Sequence, residues 1–205
     1  FPSAAELLLP GLLDRMRAYD AIDLQIEDRD VPQHEFAGLV ADFDLVVAHR
    51  SDDAVPPDRE AVGLVPLFRE PLDVAVPLAH PLASRDRVSV DDVIGESWIG
   101  VPEDYPIDRV LQTMAMQSGV HAQVVYRTTH LPLIENLVAA EQGLALVPRY
   151  TSRQRAAGRF ALVALASVHA WRIVEALVRP DRAPRNVVQC VLAELVAEAA
   201  NVTTR

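Results

Sequence analysis

The sequence predicts an α/β protein with mainly parallel sheets. Two observations carry this expectation. Short runs of β-branched and aliphatic residues alternate with stretches of helical apolar spacing along the 205 residues, half of which are hydrophobic. One stretch, Tyr126 to Arg149, also reads as strand, turn, helix and strand in immediate succession. Val124, Val125 and Tyr126 suit a strand, and Thr128 and Thr129 are N-cap candidates for the helix that follows. Leu133, Leu137 and Ala140 recur at helical spacing, with Ile134 and Val138 beside them. Gly143 stands where a helix end tolerates positive φ, and Leu144 to Val147 is a short apolar run stopped by Pro148. The start of this helix, near Thr129 and His130, would aim backbone N–H groups beyond the end of the first strand, a ready site for an anion.

The remaining elements follow in chain order. Leu7 to Tyr19 reads as the first helix, with Leu8, Leu12, Leu13 and Met16 on one face and Pro10 in its first turn or at a kink. Ser3 lies ahead of it, free to cap or to face a ligand. Leu24 and Ile26 alternate with polar residues in Asp23 to Glu27, the pattern of a half-buried strand. Pro32 opens a short helix, and Phe43 to Ala48 is the nearly continuous apolar run of a strand covered on both faces. Ser51 to Arg59 is a polar loop. Val62 to Leu67 and Leu72 to Val76 are strands separated by a hinge at Arg69-Glu70-Pro71. A turn at His80 to Ala83 follows, and then a short helix capped by Ser89, with Asp91 and Asp92 in the first turn where the helix dipole favours them. Ser97 to Val101 is a strand, Ile107 to Ser118 a helix ended by Gly119, and Leu162 to Leu165 and Ile173 to Val178 are strands. Asn186 to Ala200 closes the chain as a helix with Val187, Cys190, Val191, Leu195 and Ala199 inward.

Composition excludes several function classes. The 19 basic residues are all arginine and are outnumbered by 29 acidic ones, for a net charge of −10. That balance opposes nucleic-acid binding by this chain, because phosphate neutralisation dominates such affinity. The six histidines are scattered at His34, His49, His80, His121, His130 and His169 without HExxH spacing, and Cys190 is the only cysteine, so neither a metal site nor an internal disulfide is expected. Cys190 itself reads as a buried, inert thiol, in keeping with a cytoplasmic protein. No GxGxxG, GxxxxGK[ST] or GxSxG is present, and the pairs Asp52-Asp53 and Asp91-Asp92 read as solvated caps, so no catalytic residue and no cofactor are expected. No run of 18 apolar residues suggests a membrane span. A sequence opening at Phe1 reads as a piece of a longer protein.

Five landmarks in order resemble the effector-binding domain of LysR-type transcriptional regulators. They are Ser3 with Leu8-Leu9-Pro10; Asp44-Leu45-Val46-Val47; His80-Pro81-Leu82-Ala83 with Val90-Asp91-Asp92-Val93; Leu137 to Gly143 with Val147-Pro148; and Val174 to Arg179. Glu141 departs from the small residue usual at that helix end, and the family's first strand would precede Ser3, as would its winged helix-turn-helix. The resemblance implies a two-lobed fold like that of type II periplasmic binding proteins, with two crossover segments near Arg69-Glu70 and Trp171-Arg172 and a small-molecule cleft between the lobes. Lobe one would comprise residues 1–69 and 171–205, and lobe two residues 70–170. It further implies a homodimer or tetramer, pairing the first helix with the helix around Arg109 to Met116 of a partner. DNA would be bound only through the absent N-terminal domain.

Open α/β sheets bind ligands where strands end and helices begin. The expected effector contacts are therefore Ser3, Pro32, Gln33, His34, His49 and Arg50 on lobe one, and Val101, Pro102, Tyr105, Thr128, Thr129 and His130 on lobe two. The expected function is effector sensing, with a small organic anion as ligand. A transport solute-binding protein of the same fold is the alternative, and an enzyme on the same scaffold lacks a nucleophile–base pair.

Overall fold

The computed structural model describes residues 1–58, 61–166 and 168–203, so Arg59, the last residue of the expected polar loop, lies outside the described residues. The chain divides into two compact units. Unit 1 comprises Phe1–Arg69 and Ile173–Arg205, and unit 2 comprises Glu70–Arg172.

Unit 1 holds helices α1 (Pro2–Met16), α2 (Phe36–Leu39, preceded by a 3-10 turn at Gln33–Glu35) and α7 (Asn186–Val202). Its strands are β1 (Leu45–Ser51), most of β8 (Trp171–Val178) and the first half of β2 (Gly63–Pro77), in the order β1-β8-β2. On α1, Ala4, Leu8, Leu12 and Met16 recur every four residues and form the buried face. That face packs on α7, where Val188, Leu195, Ala199 and Val202 are buried. At Gly11 the two helices close in: a Cβ there would overlap the Glu198 carboxylate. Arg15 Nε lies 3.3 Å from that carboxylate, which leaves the buried charge paired. Tyr19 donates its hydroxyl hydrogen to Glu194 (2.7 Å), and this bond, aided by Cys190 nearby, pushes the phenol up to about 12.

Three expectations are corrected in this unit. The first helix starts at Pro2, so Ser3 sits inside its first turn, with Pro at an early position where no amide hydrogen is missed. Residues 23–27 form no strand; the alternation is present but no partner strand pairs with it. The two strands expected on either side of Arg69-Glu70-Pro71 are one, because β2 runs unbroken from Gly63 to Pro77 with Pro71 buried inside it, although the division between the units does fall between Arg69 and Glu70.

Unit 2 contains the second half of β2, β3 (Arg87–Val88), β4 (Ser97–Gly100), β5 (Gln123–Arg127), β6 (Ala145–Pro148) and β7 (Phe160–Leu165). Its helices are α3 (Val90–Val93), α4 (Pro106–Ser118), α5 (Leu131–Ala139) and α6 (Arg149–Ala156). β3 pairs parallel with β7, and β4 parallel with β5. The ladders of β2 with β6 and β7 are antiparallel, Val74 facing Leu146 and Val163, an exception to the parallel pairing expected of the sheets. One core gathers around Trp98, Met114, Leu111 and Val74, and a second around Ile99, Ile134, Val138 and Val147.

Helix ends follow local chemistry. Ser89 and Asp92 form a reciprocal capping box on α3, and Gly119 ends α4 at φ 68°. After α5 it is Glu141 that takes the left-handed conformation, at φ 61°, a cost of about 1–2 kcal/mol for a residue with a Cβ. Gly143, two residues on, is needed for a different reason. At φ 149° a Cβ there would lie 2.7 Å from the Ser97 carbonyl oxygen, and Leu144 exchanges backbone hydrogen bonds with Ser97 and Ile99 (both 2.8 Å).

Glu70 and Arg172 are the first and last residues of unit 2, and both are fully buried. Arg172 Nε and Nη2 donate to Glu70 Oε2 at 2.8 and 2.6 Å. Glu70 Oε1 accepts the Thr151 backbone N–H (2.9 Å) and hydroxyl (3.2 Å), so the same carboxylate serves the first turn of α6.

Candidate functional site

β4 and β5 run parallel and in register at their C-terminal ends, Gly100 beside Arg127. The two loops leaving them are therefore neighbours, and the Thr128 amide donates to the Gly100 carbonyl (3.0 Å). This geometry brings Val101, Pro102 and Tyr105, which lead into α4, beside Thr128, Thr129 and His130, which lead into α5. Two helix N-termini thus start from adjacent strand ends, the arrangement in which α/β sheets hold ligands.

The capping is not as the sequence suggests. His130, rather than Thr128 or Thr129, caps α5: its Nδ1 accepts the Leu133 N–H (3.2 Å). Thr128 Oγ1 in turn accepts the His130 N–H (3.2 Å). With Pro132 lacking an amide hydrogen, the amides at this helix start not engaged by other described groups are those of Thr129 and Leu131. Thr129 and His130 are exposed, while Val101 and Leu131 are buried and supply an apolar floor. Asp104, between these loops and α4, holds φ 69°, a conformation that persists only where its surroundings enforce it.

Sequence reasoning missed Arg127. Its Nη1 donates at 2.6 Å both to the Val101 carbonyl and to Asp108 Oδ1, stitching the two loops together. Asp108 is buried in the first turn of α4, where the helix dipole favours a carboxylate, and also accepts from Gln112 (2.5 Å). The Arg127 side chain remains one-third exposed. Its partners lie 26 and 19 residues away in sequence, so no local pattern could point to it.

In unit 1 the expected residues separate. Gln33 Oε1 accepts the Ser51 N–H (3.1 Å), tying the 3-10 turn, with Pro32 and exposed His34, to the end of β1. His49 is not presented there. It is 6% exposed and stacked on Phe1, centroids 4.0 Å apart, with Phe36 edge-on at 5.5 Å. Arg50 is also committed: Nε lies 3.1 Å from Glu175 Oε1, and Nη1 donates to the Ala54 carbonyl at 3.1 Å. Its charge is met inside the unit, which corrects the expectation that it adds free positive charge to a ligand site. Ser51, overlooked in the sequence, keeps its hydroxyl buried without a hydrogen-bond partner among the described residues.

Among the described residues no group of three or more His, Cys, Asp or Glu side chains is placed to hold a metal ion, and no helix is long and apolar enough to cross a membrane.

The family model for the LysR substrate binding domain matches residues 1–200. Among curated relatives, the hydrogen peroxide-inducible genes activator of Dickeya chrysanthemi is 28% identical over 148 residues, 72% of this chain and 47% of that protein. The HTH-type transcriptional regulator TtuA of Agrobacterium vitis is 33% identical over 157 residues, 74% and 49%. The chain spans about half the length of these relatives. Among solved structures, the regulatory domain of CcmR from Synechocystis PCC6803 in complex with 2-PG superposes with a TM-score of 0.80 at 18% identity, covering 97% of this chain and 94% of that one. The effector binding domain of QuiR in complex with shikimate gives 0.73 at 14%, covering 94% and 90%.

Proposed function

We propose, because this chain belongs to the LysR substrate binding domain family, that it senses a small organic anion and passes the event to a DNA-binding part of a longer cytoplasmic regulator. The observation that carries the anion is the pair of adjacent helix starts after β4 and β5; Arg127 between them is already paired with Asp108 and holds the two loops in place. In this reading Thr128, Thr129 and His130 meet the anionic group, and Val101, Pro102 and Tyr105 shape the apolar part. Pro32, Gln33 and His34, with the Ser51 hydroxyl, are the contacts proposed for unit 1. The two units would be the two regulatory lobes, and effector binding would shift their population toward one DNA-binding state.

Shikimate and 2-PG are ligands of similarly folded domains and serve here only as starting probes. Peroxide is not proposed as the signal: the sole cysteine, Cys190, is half-buried on α7 beside Tyr19, and no second thiol of the chain can close a disulfide with it. Calorimetry with a panel of small carboxylates and phosphate esters, shikimate first, tests the site. The expected result is one binder whose affinity falls about tenfold, ~1.4 kcal/mol, in Thr129→Ala, with the ligand-free melting temperature unchanged. Equal binding by parent and variant moves the ligand elsewhere, and turnover of the bound compound would revive an enzyme reading.

Self-association is proposed through α1 and α4, each of which exposes large apolar side chains, Leu13 at 46% and Met116 at 75%. Sedimentation over a concentration series should show a dimer that Met116→Asp weakens. A monomer at every concentration overturns it.

A further inference from the structure

Helix α6 is held in place by charge. Its eight residues are too few for a stable isolated helix. Of its three buried residues, Thr151, Ser152 and Ala156, only Ala156 is apolar. A helix with so narrow an apolar face depends on polar contacts for its position. Those contacts lie at its two ends and lead to different places. In the first turn Arg149 grips the buried Asp73 of β2 through two bonds, Nε to Oδ2 at 2.6 Å and Nη2 to Oδ1 at 2.5 Å. Thr151 shares the Glu70 carboxylate with Arg172. It therefore reaches both β2 and β8, the strands in which the chain enters and leaves unit 2. In the last turn Arg155 makes a second two-bond grip, Nε to Glu135 Oε2 at 2.6 Å and Nη2 to Glu135 Oε1 at 3.0 Å. Glu135 is fully buried on α5, five residues after the His130 cap.

We propose that α6 is a strut. It carries a change at the start of α5 to the two places where the chain enters and leaves unit 2, with Glu135 and Arg155 as the positioning residues of the link. This rests on the proposed function only in taking the start of α5 as the place where an effector acts. The physical basis is stiffness. A bidentate arginine–carboxylate pair fixes direction as well as distance. When such a pair is buried, parting it leaves a charge uncompensated. α5 and α6 therefore move together or break a costly contact, whereas helices packed by apolar volume alone can slide. Ser152 gives α6 a reason to have a second position. Its hydroxyl is buried with no hydrogen-bond partner among the described residues, so a small shift of the helix can gain a bond that is missing here. Coupling between distant groups needs such an element, one whose two arrangements both ends can bias.

Amide hydrogen exchange on residues 1–205 tests the strut without any ligand, so the result does not depend on where an effector binds. His130→Ala removes the cap at the start of α5 and is the perturbation. The reporter is the Thr151 amide, which Glu70 accepts at the opposite end of α6 from Arg155. With the pair intact, His130→Ala should speed Thr151 exchange about tenfold. In a background of Glu135→Gln with Arg155→Met, which removes both charges, the same cap loss should still speed the Leu133 amide and leave Thr151 unchanged. Arg155→Lys keeps the charge without the two-bond geometry, and there the Thr151 response should be weaker than in the parent. The Ile94 amide of α3, bonded to the Val90 carbonyl, is the control and should not respond. The strut is overturned if Thr151 ignores His130→Ala in the parent, or if it responds equally with and without the Glu135–Arg155 pair. Should the double variant not fold, a full response in Arg155→Lys overturns it in the same way. An equal response at Ile94 overturns it too, because the effect is then global unfolding. A calorimetric panel without a binder, beside an intact Thr151 response, would remove the proposed function and leave the strut standing.

Discussion

Arg172→Ala is expected to cost about 3–5 kcal/mol of unfolding free energy, because it leaves the Glu70 carboxylate charged and buried without its counter-ion. The same change removes one partner of the Thr151 hydroxyl, which Arg172 Nη2 approaches at 3.3 Å. The pair as a whole is worth much less than this figure, since taking two ions out of water offsets most of their attraction. The double change Glu70→Gln with Arg172→Met should therefore recover much of the loss. Gln keeps an oxygen for the Thr151 N–H, and Met fills the arginine's volume without a charge. Urea titration of the four proteins gives the coupling energy. A single substitution costing under about 1 kcal/mol would show that water or a rearranged side chain takes up the lost contact.

Gly143→Ala is the second large effect, expected at about 2–4 kcal/mol. A methyl group at φ 149° is strained whatever its surroundings, a cost of order 1–3 kcal/mol. Here it also meets the Ser97 carbonyl, a backbone atom that cannot rotate away. Relief by moving the chain stretches the hydrogen bonds that Leu144 makes with Ser97 and Ile99, each contributing about 1 kcal/mol. The same change at Gly95, where an added Cβ meets nothing within 4 Å, should stay within about 1 kcal/mol and serves as the control. Thermal denaturation ranks the two, and equal midpoints would refute the close-approach account.

What the sequence disclosed depended on how far apart the deciding groups lie. Short-range chemistry was readable: Ser89 with Asp92 three residues on, Gly119 at the end of α4, and the apolar spacing of α5. The adjacency of the loops after β4 and β5 was also readable, since it follows from strand ends preceding helix starts. The clasp of Glu70 on Arg172 spans 102 residues and Arg127 reaches Val101 across 26, and no window along the chain contains such pairs. His49 and Arg50 were misread for a related reason. A strand exit looks polar in sequence, whereas Phe1, Phe36 and Glu175, which enclose these two side chains, arrive from elsewhere. Residues 23–27 show the opposite failure: the period was right, but a strand needs a neighbour to bond, and none is present beside it.

The order of the chain has a consequence for synthesis. Unit 2 is continuous, residues 70–172, and is written inside unit 1, whose two pieces stand on either side of it. A ribosome therefore synthesises every residue of unit 2 before it makes α7 and most of β8. Unit 2 can fold as soon as it emerges, whereas β1 must wait for β8, and the buried face of α1, Leu8, Leu12 and Met16, must wait for α7. The nascent protein thus spends the making of residues 17–185 with its first helix uncovered, and that helix is where a chaperone meeting the growing chain should be found.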